Sequence, residues 1–252
     1  MLMKAVLFFC VFLAGFVDSI AGGGALISLP AYYAVGIPPH MALGTNKFSA
    51  TIGTLFASLR FIRSKSVEWK AALTAAVFAL AGSAWGAHMA LLVSERALQV
   101  VLLVLVPVLA VFVLAKKDMG EHKEQMSGKA LLLVSALTGL LVGAYDGFFG
   151  PAAGTFYTLA FASVVGMCMT RACGTTKIVN LSSGTAALIT FIINGKIDYS
   201  LAIPCTILAI AGNWLGSGLA IKNGAKFIRP VMFAVLCLLL IRLTYDMVST
   251  AL

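Results

Sequence analysis

Residues Gly44-Thr45-Asn46-Lys47 return as Gly174-Thr175-Thr176-Lys177, and the offset of 130 residues between them (174 minus 44) then holds without a gap for about 60 positions. Phe61-Ile62 falls on Phe191-Ile192, Val67-Glu68-Trp69 on Ile197-Asp198-Tyr199, and Ala81-Gly82 on Ala211-Gly212. Gly86 falls on Gly216, Ala90 on Ala220, Arg96 on Lys226 and Val101 on Val231. Upstream, Asp18 and Gly22 pair with Asp146 and Gly150 at an offset of 128. Chance similarity between apolar stretches matches Leu and Ala, but it does not align Gly, Asp, Lys and aromatic positions in order. The chain is therefore two copies of one unit, and internal repetition of this kind decides architecture.

What solvent the two copies fold in follows from composition. The 252 residues are 61% hydrophobic and 11% charged, with a mean hydropathy of +1.01, whereas soluble domains carry roughly 25% charged residues. Apolar runs span 3–20, 48–59, 71–93, 98–115, 130–145, 178–193, 201–221 and 231–243. Several approach the ~20 residues that a helix needs to cross a bilayer. None alternates as an outer-membrane barrel strand must. The fold class expected is an all-α, polytopic transmembrane bundle of two tandem repeats. Lys4 and the apolar run behind it resemble a secretory signal but lack a cleavage site followed by a soluble chain, so this run reads as the first membrane helix.

The 18 basic residues outnumber the 9 acidic ones. They sit mostly at helix ends and in short loops, which is the signature of membrane orientation and not of nucleic-acid binding. Five scattered cysteines show neither metal-site nor disulfide spacing. No cofactor or metal is implied; the partners expected are the lipid bilayer and a small anion, and the sequence is compatible with a homo-oligomer.

Residues 1–115 form the first repeat, 116–129 a charged cytoplasmic linker and 130–252 the second repeat. Each half holds an apolar helix, a glycine-containing break, a short apolar segment, a long helix opening with the Gly-Thr-x-Lys element, and a helical hairpin. Arg60, Arg63, Lys65 and Lys70 make the loop near residue 65 strongly basic, whereas its mate near residue 195 offers only Lys196. That reversal favours inverted repeats and an odd number of crossings per half, with the short segments spanning or re-entering. A parallel four-plus-four arrangement is the alternative. Repeats with broken helices are a design of secondary transporters, which bind substrate where the repeats meet.

The breaks, Gly22-Gly23-Gly24 and Gly150-Pro151, start new helices inside the membrane. Such a start leaves unsatisfied N–H groups and the positive end of a helix dipole, a ready anion site. Close helix packing is the other use of glycine here, and it is the reading for Gly82, Gly86, Gly212 and Gly216. Lys47 and Lys177 lie about two turns into apolar helices, where a cation is costly unless it faces a cavity or a partner. Lys47, Thr51, Thr54 and Ser58 form one polar stripe, and Lys177, Asn180 and Gly184 form another. The two lysines are expected to share one hydrated cavity and neutralise an anion, since few intramembrane charges are at hand to pair with them. Thr45, Asn46, Thr175 and Thr176 would add hydrogen bonds, and Arg171 would be an extra anion contact or an interfacial anchor. Snorkelling to the headgroups is the alternative for the lysines. Asp18 and Asp146 either cap the half-helices or carry a coupling proton.

The Gly-Gly-Gly break, the run Gly36 to Lys47, the Asp-Gly-Phe-Phe-Gly-Pro element (Asp146 to Pro151) and Gly174 to Lys177 resemble the TauE/SafE sulfite exporter family, the TSUP permeases, and within it the YfcA-like branch. The likeness covers essentially the whole chain. It implies a carrier of sulfur-containing anions such as sulfite, sulfonates or sulfoacetate in a bacterial inner membrane. Pro151-Ala152 stands where the first half has Gly23-Gly24, so the half-sites should differ chemically.

Three functions compete. They are a secondary carrier linked to the proton gradient, a passive anion channel and a membrane-embedded enzyme. The last is disfavoured, because no His-Glu-x-x-His or Gly-x-Ser-x-Gly element occurs and the three histidines are widely spaced.

Overall fold

The computed structural model describes residues 2–94 and 125–251, and the described elements are helical. In order they are α1 (Leu2–Ala21), α2 (Ala25–Ala34), α3 (Pro39–Arg63), α4 (Trp69–Leu92), α5 (Gly128–Phe148), α6 (Ala153–Leu159, continued as a π-helical turn over Ala160–Val164), α7 (Met169–Ile193), α8 (Tyr199–Asn223) and α9 (Ala225–Ala251). The duplication is visible in these bounds, since α3 and α7 begin 130 residues apart, as do α4 and α8. Most of the 116–129 linker and the apolar run 98–115 lie outside the described residues.

Sequence pattern explains the element ends. Pro39 opens α3, where a missing N–H costs nothing and the fixed φ suits a first helical turn. The Gly-Thr-x-Lys elements therefore sit inside α3 and α7, five residues past their first residues (44 minus 39, 174 minus 169), and not at their openings. Glu68 and Asp198 precede α4 and α8 at the N-cap position, and of the two only the Asp198 carboxylate caps its helix, accepting the Ser200 N–H at 3.0 Å. Among the described residues five helices (α1, α4, α5, α7 and α8) are long and apolar enough to span a membrane. α2, of ten residues, is only about 15 Å long.

Burial is distributed as lipid requires. Leu73, Val77, Trp85, Leu133, Leu141, Ile193, Ile207 and Leu215 stand outward, while Thr45, Lys47, Thr54, Ser83, Asp146, Thr176, Lys177 and Asn213 are buried. Helices without a hydrophobic drive toward each other associate through small residues that let backbones approach. On the α4–α5 seam Ala75 faces Gly139, Ala79 faces Gly143 and Ser83 faces Gly147; on the α1–α8 seam Gly212 meets Phe12 and Gly216 meets Ser19. A Cβ on Gly82, Gly86, Gly212 or Gly216 would strike a backbone carbonyl of the facing helix, so these glycines serve packing.

Each first helix thus packs on the hairpin of the other half: α1 on α8 and α5 on α4, both pairs running in the same direction. The repeat mates α3 and α7 cross at the centre in opposite directions. Gly44 lies by Phe191, Thr51 by Gly184, and Phe61 by Gly174, and Ser58 Oγ donates to the Lys177 carbonyl at 3.1 Å. α2 doubles back along α1. Its first turn sits by Ala14 and Asp18, and Ala31 and Tyr32 join the cluster of Leu7 and Val11.

Candidate functional site

The two glycine breaks meet at the centre of the molecule. Gly22, with φ +79°, lies against the backbone of Gly154 and Thr155, so tightly that any side chain would strike Thr155 N. Thr155 Oγ1 donates to the Ala21 carbonyl at 2.9 Å across the same contact. Gly23, with φ +92°, faces Val235 of α9.

Both intramembrane lysines have partners, which corrects the expectation that they lack them. Lys47 Nζ donates to Asp146 Oδ1 at 2.8 Å. Lys177 Nζ lies 3.2 Å from Asp18 Oδ2 and also donates to the Asp18 main-chain carbonyl. Each lysine of one half therefore holds the break-proximal aspartate of the other. Taking a charge out of water is repaid only by an opposite charge with good geometry and further hydrogen bonds, and both pairs have these. Ser183 Oγ donates to Asp146 Oδ2 at 2.6 Å. The Gly24 N–H donates to Asp18 Oδ1 at 3.4 Å, so Asp18 also caps the start of α2.

A cavity of about 60 Å³ opens beside the first of these pairs, several times the ~10–15 Å³ that one water requires. Asp18, Gly24, Asn46, Lys47, Asp146, Gly150 and Asn180 line it, as do Ser28, Thr51, Thr54, Gly184 and Asn213. The predicted polar stripe of α3 thus faces the cavity through Lys47, Thr51 and Thr54, whereas Ser58 turns to the α7 backbone. Two lining groups are buried without a hydrogen-bond partner, Thr51 Oγ1 and Asn213 Oδ1. Asn213 Nδ2 is spent on the Ala209 carbonyl at 2.9 Å, which leaves its oxygen as a free acceptor. Buried polar atoms are nearly always satisfied, and both groups are placed to bond whatever enters the cavity, water or solute.

Several residues expected at the site lie elsewhere. Lys177, fully buried, is sealed behind Asp18 and does not line the cavity. Thr45 and Thr175 do not line it either; their hydroxyl oxygens accept the Asp198 and Glu68 N–H groups, each at 3.0 Å. Thr176 is bonded to Thr158 at 3.1 Å, as Asn46 is to Ser28 at 2.6 Å, so both tie a half-helix to its neighbour. Gly22 and Gly23 serve the break itself, and Pro151 accepts the Tyr145 hydroxyl through its carbonyl at 2.6 Å. Arg171 pairs with Glu68 at 3.6 Å on the exposed rim. Ser28, Ser183 and Asn213 were not singled out from sequence. The repeat offset carries their signal, because Asn213 falls on Ser83 and Ser183 on Gly53, polar departures inside otherwise apolar helices.

The model of the sulfite exporter TauE/SafE family matches residues 7–243. The chain is 37% identical over 247 residues to the probable membrane transporter protein YfcA of Escherichia coli K12, covering 97% of this chain and 91% of that one. It is 35% identical over 244 residues to the probable membrane transporter protein ORF9 of a Sinorhizobium species (97% and 93% covered). To a probable membrane transporter protein of Haemophilus influenzae the identity is 32% over 246 residues (97% and 95% covered). No solved structure matches significantly. With a family match across nearly its whole length and several membrane-length helices, this chain is a multi-pass membrane protein and belongs to the TauE/SafE sulfite exporter family.

Proposed function

We propose that the protein is a secondary transporter for small sulfur-containing anions, of the sulfite, organosulfonate or sulfoacetate type, and that the proton gradient drives it. The observation that carries this reading is Lys47, a buried cation lining a polar cavity where the two halves meet, beside two unpaired buried groups. The family's description as a sulfite exporter supports the substrate class. Lys47, Asn46, Thr51, Asn180 and the backbone at Gly24 and Gly150 would bind the anion, while Lys177, Thr45, Thr175 and Thr176 hold the frame. A cavity this small suits a compact oxyanion, and the cross-repeat position suits alternating access.

The halves are read as inverted repeats, residues 1–115 and 130–252, with the basic linker 116–129 and the loop near Lys65 in the cytoplasm and both termini outside. The opposite directions of α3 and α7 support this, because mates related by an axis along the membrane normal would run the same way.

Purified protein in proteoliposomes should take up sulfite, taurine or sulfoacetate saturably, with accumulation against a gradient when a pH difference is imposed. Flux that never saturates and never accumulates would make it a passive channel. The enzyme reading gains nothing from the site, whose polar groups are an ion pair, hydroxyls and amides without a nucleophile–base pair.

A further inference from the structure

We infer that the two repeated ion pairs have divided their labour: Asp146 carries the coupling proton and gives up Lys47 to the transported anion, while Asp18 and Lys177 form a fixed strut. This rests on the anion-transport reading above.

The pairs occupy equivalent positions but differ in three ways. Lys47 and Asp146 both line the cavity, whereas Lys177 is fully buried and only Asp18 reaches it. Lys177 is held twice, by the Asp18 carboxylate and the Asp18 main-chain carbonyl, and Asp18 is further held by the Gly24 N–H. Among the described residues, the Lys47 ammonium has one hydrogen-bond partner, the Asp146 carboxylate.

The third difference is Ser183. Its Oγ lies 2.6 Å from Asp146 Oδ2 and 3.2 Å from the Asn180 carbonyl. When Asp146 is ionised, the hydroxyl donates to it. When Asp146 is protonated, the carboxyl O–H can donate to Ser183 Oγ and the hydroxyl can turn to the Asn180 carbonyl. Both charge states are thus hydrogen-bonded, which a buried carboxyl needs if it is to exchange a proton at low cost. The position equivalent to Ser183 in the first half is Gly53, so Asp18 has no such hydroxyl.

The charge balance is closed. In the empty state the Lys47 ammonium and the Asp146 carboxylate sum to zero. One proton and one monovalent anion enter together; the proton forms the carboxyl O–H of Asp146 and the anion pairs with Lys47, so the sum is again zero. An anion without the proton would leave two negative charges on one ammonium inside the membrane, which is strongly disfavoured. Among the described residues, the other titratable groups toward Asp146 are Asp18 on α1, with Lys177 of α7 behind it, Tyr157 on α6 and Tyr145 on its own helix, while α4 presents Ser83.

Infrared difference spectra of the reconstituted full chain, recorded on adding isethionate or, at mildly acidic pH, hydrogen sulfite, each a monovalent anion, test this directly. A protonated-carboxyl stretch should appear with anion binding, vanish in Asp146→Asn and persist in Asp18→Asn. Ser183→Ala should move the pH profile of uptake by about one unit to the alkaline side, because the ionised carboxylate loses a donor. A merely structural serine would lower uptake at every pH without moving the profile. If an anion binds but no band appears, or the band survives in Asp146→Asn, or the Ser183→Ala profile stays put, the division of labour is wrong while transport stands. If neither of these anions nor sulfoacetate or taurine binds, the transport reading fails and this inference fails with it.

Discussion

Thr45 Oγ1 accepts the main-chain N–H of Asp198 at 3.0 Å, and Thr175 Oγ1 accepts that of Glu68 at 3.0 Å. The threonine of each Gly-Thr-x-Lys element thus fastens the hairpin of the opposite half. The glycine before it makes the approach feasible, since a Cβ on Gly44 would run into the Lys196 carbonyl and one on Gly174 into the Ser66 carbonyl. Thr45→Val and Thr175→Val should each destabilise the protein by about 0.5–1.5 kcal/mol, the net worth of one part-buried hydrogen bond. Gly44→Ala and Gly174→Ala should cost at least about as much through overpacking. Thermal unfolding in detergent measures this, and anion affinity in the threonine variants that do fold should be close to that of the unaltered protein.

The strut and the exchangeable pair predict opposite patterns on double substitution. Lys177→Met leaves Asp18 without its cation; removing one partner of a buried pair costs ~3–5 kcal/mol, less here because the Asp18 side chain keeps 18% of its exposure. Adding Asp18→Leu should recover part of that stability. Lys47→Met combined with Asp146→Leu should also fold, but uptake should stay lost, because the anion has no cation. Recovery of uptake in the second double variant would remove Lys47 from the binding site.

The opposite directions of α3 and α7 put the loops after them at opposite ends of the bundle. Single cysteines replacing Lys65 and Lys196 should therefore react with a membrane-impermeant maleimide from opposite sides, Lys65→Cys from the cytoplasm and Lys196→Cys from outside. The native cysteines are replaced first, Cys168 above all because it is exposed. Labelling of both loops from one side would restore the parallel arrangement.

Element order, break positions and the central place of the Gly-Thr-x-Lys helices were legible in the sequence because duplication supplies an internal comparison, each feature being seen twice. The pairing of Lys47 with Asp146 and of Lys177 with Asp18 was not. Both lysines and both aspartates stood out, but which charge meets which depends on how the halves cross, and the linear pattern does not encode that. Taken alone, Lys47 and Lys177 looked like two equivalent bare cations; folded, one lines a cavity and the other is sealed behind Asp18. Asn213 was not singled out from the sequence. Its meaning depends on Gly15 and Gly53, whose missing side chains give it room.

Thr51 offers a test in which stability and function should move apart. Its hydroxyl is buried at the cavity wall with no hydrogen-bond partner among the described residues, so a group entering the cavity can bond to it. Valine has nearly the same shape and lacks the polar atom. If the hydroxyl is kept for a ligand, Thr51→Val should leave the melting temperature of the empty protein about unchanged while weakening anion binding by about three- to ten-fold, as expected for one hydrogen bond worth ~0.5–1.5 kcal/mol. The ligand-induced rise in melting temperature should shrink accordingly, since stabilisation by binding follows the ratio of free ligand to its dissociation constant. A purely structural threonine would give the reverse, a lower melting temperature with unchanged affinity. Melting curves with and without sulfite, taurine or sulfoacetate, run on both proteins, separate the two outcomes in one experiment.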